Sequence, residues 1–504
     1  MGKIVLVFPK MDGPESTSPS LSTSEHLGLA SLATSLRNIG HIVLIINAEV
    51  EKLDTSDIVN RIIKFEPILL GCSPVSLSID NSLDLISKVK AANRKILTVF
   101  GGHLASLCAS DMISNEPNID FILKGDAEFT ILELLNRIIN KIDFHSVPGI
   151  VFKNENGNVY ENQHFNGYID LDDIPICERD DLKYLSQKKS FDNSARILAS
   201  RGCNYNCSFC TTPSFYGKVV RFRNENLVIE EMNLLYKKYG INHFWFNDDL
   251  FVNNTPSNYI WIRSFTKLLK KNKVKYSYRI LCRADSFNKN NIKLLDDLID
   301  SGLTHIYFGL ESGTQNSLDV FNKKTTVSQN RFAIELIKEK NIELQIGFIM
   351  FNPYSQFEDI LESTKFLFEI DELYRIFPIT RSLSVFPGTA IAKKLQDDGL
   401  LISKSYREPL TCYMYKDDRI AYLADLMYNA YKKHFQIDND INKIIKGIHK
   451  NNKANYIRKE LGDCNFDRFN SLTQLIRKRK FMNKVADLEY INSWMNDLEQ
   501  IINI

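Results

Sequence analysis

Ser200-Arg-Gly-Cys-Asn-Tyr-Asn-Cys-Ser-Phe-Cys-Thr-Thr-Pro213 places three cysteines, Cys203, Cys207 and Cys210, within eight residues. Nothing else in this loop supplies a fourth ligand. A structural zinc site closes itself with four ligands, so three thiolates on one loop point elsewhere. An iron–sulfur cluster held by three cysteines keeps one iron open, and an open iron can bind a further molecule. Single cysteines often pack as small hydrophobes. The chain has only nine in 504 residues, however, and three so close together read as one metal-binding unit. The others, Cys72, Cys108, Cys177, Cys282, Cys412 and Cys464, are read as buried or incidental thiols.

Working outward from the loop, short apolar runs alternate with helical patterns on both sides. Downstream, strands are expected at Arg196–Ser200, His243–Asn247, Tyr276–Arg283, Thr304–Leu310, Glu343–Met350 and Arg381–Phe386, with amphipathic helices between them. Six such units are too few for a closed eight-fold barrel, so a partial (βα)6 barrel is predicted. Reactive groups of (βα) barrels sit at the C-terminal strand ends. The cysteine loop, Asp248-Asp249, Arg283 and Glu311 all fall there. Upstream, Ile4–Phe8, Ile42–Ile46, Ile68–Gly71, Ile96–Phe100 and Phe121–Leu123 read as strands of a doubly wound parallel sheet. Ligands bind such sheets outside the strands' carboxyl ends, here the loops over residues 9–24, Ser73-Pro-Val-Ser-Leu-Ser78, Gly101-Gly-His103 and Lys124–Glu128. A phosphate-binding dinucleotide fold competes with this reading but lacks Gly-x-Gly-x-x-Gly after the first strand, and spacing alone fits a purely structural sheet as well.

The expected organisation is therefore a first domain over 1–145, a linker over 146–192, the partial barrel over 193–402 and a helical C-terminal region over 403–504. Hydrophobic content of 44% and charge of 25% are ordinary for globular protein, and 504 residues exceed a single core. With Lys plus Arg at 63 and Asp plus Glu at 61, the balance calls for neither nucleic acid nor membrane. The basic run Arg477-Lys-Arg-Lys480 reads as a solvated helix face. No cleavable signal pattern and no apolar run of membrane length occur, so a reducing cytoplasm is the expected compartment.

The cysteine spacing resembles that of the radical S-adenosylmethionine (SAM) superfamily. The likeness extends to Phe209 before the third cysteine, Phe246-Asn-Asp-Asp-Leu-Phe251, Arg283-Ala-Asp285, Gly309-Leu-Glu-Ser-Gly313 and Gly347-Phe-Ile-Met-Phe-Asn-Pro353. It implies a [4Fe-4S] cluster on Cys203, Cys207 and Cys210, with the fourth iron chelating SAM. It further implies Phe209 against adenine, Asp248 and Asp249 near the SAM ammonium, Arg283 near its carboxylate, and Glu311 with Ser312 near the ribose. Gly101-Gly-His-Leu-Ala105 and Asp120-Phe-Ile-Leu-Lys-Gly-Asp-Ala-Glu128 resemble the cobalamin-binding domain that precedes many radical SAM domains. That resemblance assigns Ser73, Val75, Ser76, Gly101, Gly102, His103, Gly125 and Glu128 to cobalamin. The family form of the second piece is Gly-Glu-Gly-Glu, and here a glycine is replaced by Ala127. The Asp-x-His-x-x-Gly motif for a lower cobalt ligand is missing, as in the radical SAM branch of the family; His26, His41 and His103 lie outside it.

These resemblances imply a cobalamin-dependent radical SAM methyltransferase acting on an unactivated carbon of a small molecule or peptide, reduced by a flavodoxin- or ferredoxin-type donor. Two alternatives stand beside it: a radical SAM cyclase, rearrangement or oxidoreductase enzyme without methyl transfer, and a cobalamin or redox sensor without turnover. Methylthio transfer fits poorly, because its enzymes carry three further cluster cysteines and an RNA-binding module.

Overall fold

The computed structural model describes residues 1–12, 25–154, 156–163, 168–188, 191–403, 405–408, 410–447 and 452–502. Most of the loop expected over residues 9–24 thus lies outside the described residues. The first sheet has seven strands in the order β2-β1-β3-β4-β5-β6-β7. They are β1 (Lys3–Phe8), β2 (Ile42–Asn47), β3 (Leu69–Cys72), β4 (Leu97–Phe100), β5 (Phe121–Leu123), β6 (Ile150–Lys153) and β7 (Val159–Glu161). The first five run parallel, with Ile4 opposite Leu69 and Leu69 opposite Leu97. Side chains alternate across the pleat. Val5 and Val7 join one core with Ile58, Ile62 and Leu83, while Ile4 and Leu6 join the other with Leu29, Leu36 and Leu134. Helices thus cover both faces, which accounts for near-continuous apolar runs in the central strands.

β6 and β7 are antiparallel additions, with Ile122 opposite Val151 and Phe152 opposite Tyr160. They lie in the stretch read from sequence as linker. Three- and four-residue strands at a sheet edge leave almost no periodic signal, and this explains the difference.

The second sheet is five-stranded and parallel, ordered β14-β13-β12-β11-β8. Its strands are β8 (Ser194–Ile197), β11 (His243–Phe246), β12 (Ser277–Arg283), β13 (Leu303–Glu311) and β14 (Glu343–Phe348). β9 (Ser200–Arg201) and β10 (Arg221–Phe222) form a separate antiparallel ribbon. The sixth expected strand, Arg381–Phe386, is reduced to one parallel bridge between Phe351 and Ser382. The Met350 and Phe351 amides donate to the Arg381 carbonyl, and Leu383 N donates to Phe351 O at 2.8 Å. Val385 N instead turns to Leu410 O at 2.7 Å, ending the pairing. Outward-facing Phe244, Phe246, Tyr278, Ile280, Ile306 and Phe308 pack under the outer helices. The opposite face encloses the open barrel.

The C-terminal region is helical over Asp418–Gly447, Asn452–Lys478 and Lys484–Ile502. The first of these is kinked at His434 (φ −120°). Trp494 is fully buried among them and donates to Asn465 Oδ1 at 2.9 Å.

Residues 178–181 join the two sheets. Arg37 pairs with Glu178 and Asp180, and His26 N and Asn47 Nδ2 both donate to Asp181 at 2.9 Å. On the other side, Arg179 is held by Glu25 at 2.9 Å and by Glu231, and Arg223 shares Glu231. Among the described residues, no helix is long and apolar enough to cross a membrane.

Candidate active site

The cysteine loop starts from the β9–β10 ribbon. Gly202 sits at φ +94°, and a Cβ there would lie 2.1 Å from the Val219 carbonyl oxygen, so only glycine fits. Asp249 spans the loop's base, accepting from Gly202 N at 2.9 Å and Thr212 Oγ1 at 2.8 Å. The far side is tied to later segments: Ser208 N donates to Phe321 O, Ser208 Oγ to Val320 O, and Ile391 N to Ser208 O. Three half-buried free thiols are thereby presented on a fixed loop. Burial pushes Cys203 up to about 11 and also raises Cys210, so metal binding at these two thiols must displace a proton. No three His, Cys, Asp or Glu side chains among the described residues converge to hold a single ion. Three thiols that each take a different iron of one cluster need no such convergence.

Arg283 ends β12 beside this loop. Its donors go to Asp285 at 2.8 and 3.0 Å, to the Lys323 carbonyl, and to Cys207 Sγ at 3.4 Å, and its plane lies 3.7 Å from the Tyr205 ring centre. Glu311 ends β13 at a bulge, in a left-handed conformation (φ +66°) rare for a non-glycine residue. Its Oε1 accepts from Lys323 Nζ at 2.9 Å. Ser312 follows, buried, with Oγ 3.4 Å from Thr314 Oγ1. Arg283 and Glu311 therefore meet through Lys323, next to Cys207.

Asp248 takes a different direction. It is buried, and its oxygens accept from Ala199 N at 2.9 Å and Ser200 Oγ at 2.6 Å. Burial pushes its carboxyl up to about 7 against those two bonds. Phe209 packs edge-on to Phe321 at 5.6 Å, in an apolar cluster with Leu383, Val385 and Ile391. A cavity of about 550 Å³ opens beside Cys207 and Cys210, bounded by Val385, Pro387 and Gly388.

A second cavity, of about 380 Å³, lies between the C-terminal edges of the two sheets. Ser73, Val75, Gly101, Gly102, His103, Gly125 and Glu128 line it from the first domain, and Arg201, Phe215, Tyr216 and Asp249 from the second. Ser76 lies outside that lining. Gly102 (φ +87°) leaves the main chain open to a ligand, since a Cβ there would approach Ser73 Oγ to 3.0 Å. His103 reaches across and stacks on Phe215, with ring centres 4.0 Å apart. Glu128 is buried and receives Arg201 Nη2 and Ser31 Oγ at 2.6 and 2.7 Å. Burial alone would raise its carboxyl, but the Arg201 charge and these bonds hold it at about 2. Asp126 accepts from Arg201 and Arg221, both at 2.6 Å. The acidic pair of the Gly-Asp-Ala-Glu turn thus fastens the first domain to the ribbon that starts the cysteine loop.

Residues 197–367 match the sequence model of the radical SAM superfamily, and residues 20–135 match that of the B12 binding domain. The chain is a cobalamin-binding-domain radical SAM protein. The residues that would hold its groups suit them: three fixed thiols for a [4Fe-4S] cluster, and a glycine-floored cavity facing that loop for cobalamin. The chain is 28% identical over 410 residues to an uncharacterized methyltransferase of Pyrococcus horikoshii, covering 81% of this chain and 86% of the relative. It is 27% identical over 330 residues to the anaerobic magnesium-protoporphyrin IX monomethyl ester cyclase of Rubrivivax gelatinosus, covering 64% of this chain and 58% of that one. Its fold matches the cobalamin-dependent SAM radical enzyme OxsB with a TM-score of 0.81 at 17% identity, over 100% of this chain and 80% of OxsB. That match takes in the C-terminal helices, for which sequence offered no likeness.

Sequence reading did not single out Arg201, Phe215 or Lys323 in this radical SAM protein, and it met Asp126 only as an acidic residue of the Gly-Asp-Ala-Glu piece. Arg201 and Glu128 are 73 positions apart, so no local pattern links them. The usable signal was a charged residue directly before the loop glycine, opposite an acidic turn.

Proposed function

We propose that this radical SAM protein methylates an unactivated carbon of a small molecule or peptide, using SAM and cobalamin. The observation that carries this reading is the shared cavity: loops of the B12-binding domain and the segment just after Cys210 line the same space. Similarity to a methyltransferase across most of both chains supports it. When bound, the reduced cluster supplies the electron that cleaves SAM, and cobalamin carries the methyl group.

The chain's own residues orient and shield. Cys203, Cys207 and Cys210 hold the cluster. Arg283, fixed by Asp285, sets positive charge beside Cys207 and toward the SAM carboxylate. Glu311 and Ser312 bind the ribose side, with Lys323 steadying Glu311. Phe209 provides apolar contact for adenine. Asp248 supports the site by fixing the strand that leads into the cysteine loop. Ser73, Val75, Gly101, Gly102, His103 and Gly125 hold cobalamin, and Glu128 anchors that loop through Arg201. The electron donor is a flavodoxin- or ferredoxin-type protein, and the compartment is a reducing cytoplasm.

The test is anaerobic reconstitution with iron, sulfide and cobalamin, then reduction with SAM and mass spectrometry of the products. 5′-Deoxyadenosine together with S-adenosylhomocysteine, from protein that retains cobalamin, is the expected result. Deoxyadenosine without S-adenosylhomocysteine refutes methyl transfer and moves the chain to the cyclase and rearrangement class.

A further inference from the structure

The inner face of the second sheet carries positive charge that none of the roles above uses. Positions alternate along a strand, so Arg279, Leu281 and Arg283 of β12 face the barrel interior together. Across the sheet, Trp245 is in register with Arg196 on one side and Arg279 on the other. The Arg279 guanidinium lies 4.6 Å from the Trp245 ring centre and 5.7 Å from that of Tyr307 on β13. Tyr307 is itself placed by a glycine: a Cβ at Gly347 would lie 2.4 Å from the Tyr307 hydroxyl oxygen.

Two observations set this group apart from a structural arginine. Among the described residues, no carboxylate lies within ion-pair distance of Arg279, although burial disfavours its charge and pushes its pKa down. Tyr307 and Glu343 favour the charge from neighbouring strands, and Arg196 adds to the cost. Beside it, the Trp245 Nε1–H is buried and makes no hydrogen bond. Burying a polar group without a partner costs free energy, so a half-buried cation with no carboxylate beside it, next to an orphaned donor, marks a place where a partner binds. Both groups can only donate. Their match is an acceptor-only group, and a guanidinium set against the two rings can offer it a forked contact.

We propose that Arg279 and Trp245 form the anion subsite of the substrate pocket, so that the substrate carries a carboxylate or phosphoryl group bound inside the barrel. This rests on the radical SAM reading only in taking the barrel interior as the place of the substrate. Arg279 lies four residues before Arg283, about 13 Å along the strand. A substrate lacking the anionic group leaves both donors unpaired and is rejected, which gives the pocket its selectivity.

The test is titration calorimetry on the reconstituted wild-type enzyme with SAM bound, using inorganic phosphate and, separately, acetate at matched ionic strength. Saturable binding of at least one anion is expected. Phosphate alone identifies a phosphoryl substrate, and acetate alone a carboxylate. Arg279→Gln should weaken that binding about tenfold or more, with no recovery in Arg279→Lys, and Trp245→Phe should weaken it several-fold. No saturable binding of either anion overturns the proposal, as does unchanged affinity in Trp245→Phe, which removes one N–H and keeps an aromatic ring. 5′-Deoxyadenosine formation by the same wild-type sample reports separately on the radical SAM reading.

Discussion

Replacing Glu231 by glutamine should loosen the joint between the domains far more than its single lost charge suggests. Glu231 receives both Arg179 and Arg223, and the three side chains are at most 9% exposed. Burial alone would raise its carboxyl, but the two guanidiniums outweigh that and hold it below the ordinary range. Glutamine keeps the shape and one acceptor but strands a positive charge away from water. Breaking a buried pair by removing one partner costs about 3–5 kcal/mol. Urea unfolding followed by tryptophan fluorescence reports it, because Trp261 donates to the Arg223 carbonyl at 2.6 Å and so sits beside these charges. Adding Arg223→Gln removes one charge of the opposite sign and should recover at least about 1.5 kcal/mol. A single-variant cost below about 1 kcal/mol refutes the reasoning, as does a double variant that loses the sum of the two singles.

Gly202→Ala should abolish cluster loading, since the added Cβ meets the Val219 carbonyl; iron content per chain checks this. Arg283→Lys keeps the charge but loses the fork to Asp285, so SAM cleavage should fall about tenfold at unchanged iron content. Asp248 titrates at about 7 in the native state, so between about pH 4 and pH 7 the folded chain holds a proton that the unfolded chain releases. Stability from this group should fall as pH rises through that window, by up to about 1.4 kcal/mol per unit, and Asp248→Asn should flatten the slope of urea midpoint against pH.

The parts of this molecule legible in its sequence are those written locally. The cysteine spacing needs eight residues, and the strands of both sheets are apolar runs whose neighbours in space are often neighbours in sequence. Arg381–Phe386 alternates as a strand does, yet Val385 turns to Leu410, a competition no local pattern records. The aspartate pair was legible as a site element, but its partners were not: Asp249 spans Gly202 and Thr212, and Asp248 faces Ala199 and Ser200, all more than thirty positions away. The charges that fasten the domains were hidden for the same reason. An isolated Arg201 or Arg179 reads as a surface residue until the fold brings Glu128 or Glu231 against it.

The packing of Tyr307 over Gly347 bears on how such chains diverge. With 2.4 Å between the hydroxyl oxygen and the place of a Cβ, position 347 is not free to change first: alanine there is tolerated only after the tyrosine has shortened or turned away. Because that tyrosine also flanks Arg279, one evolutionary step at 347 would reshape the barrel wall rather than trim it. An alignment of relatives should show the two sites changing in concert.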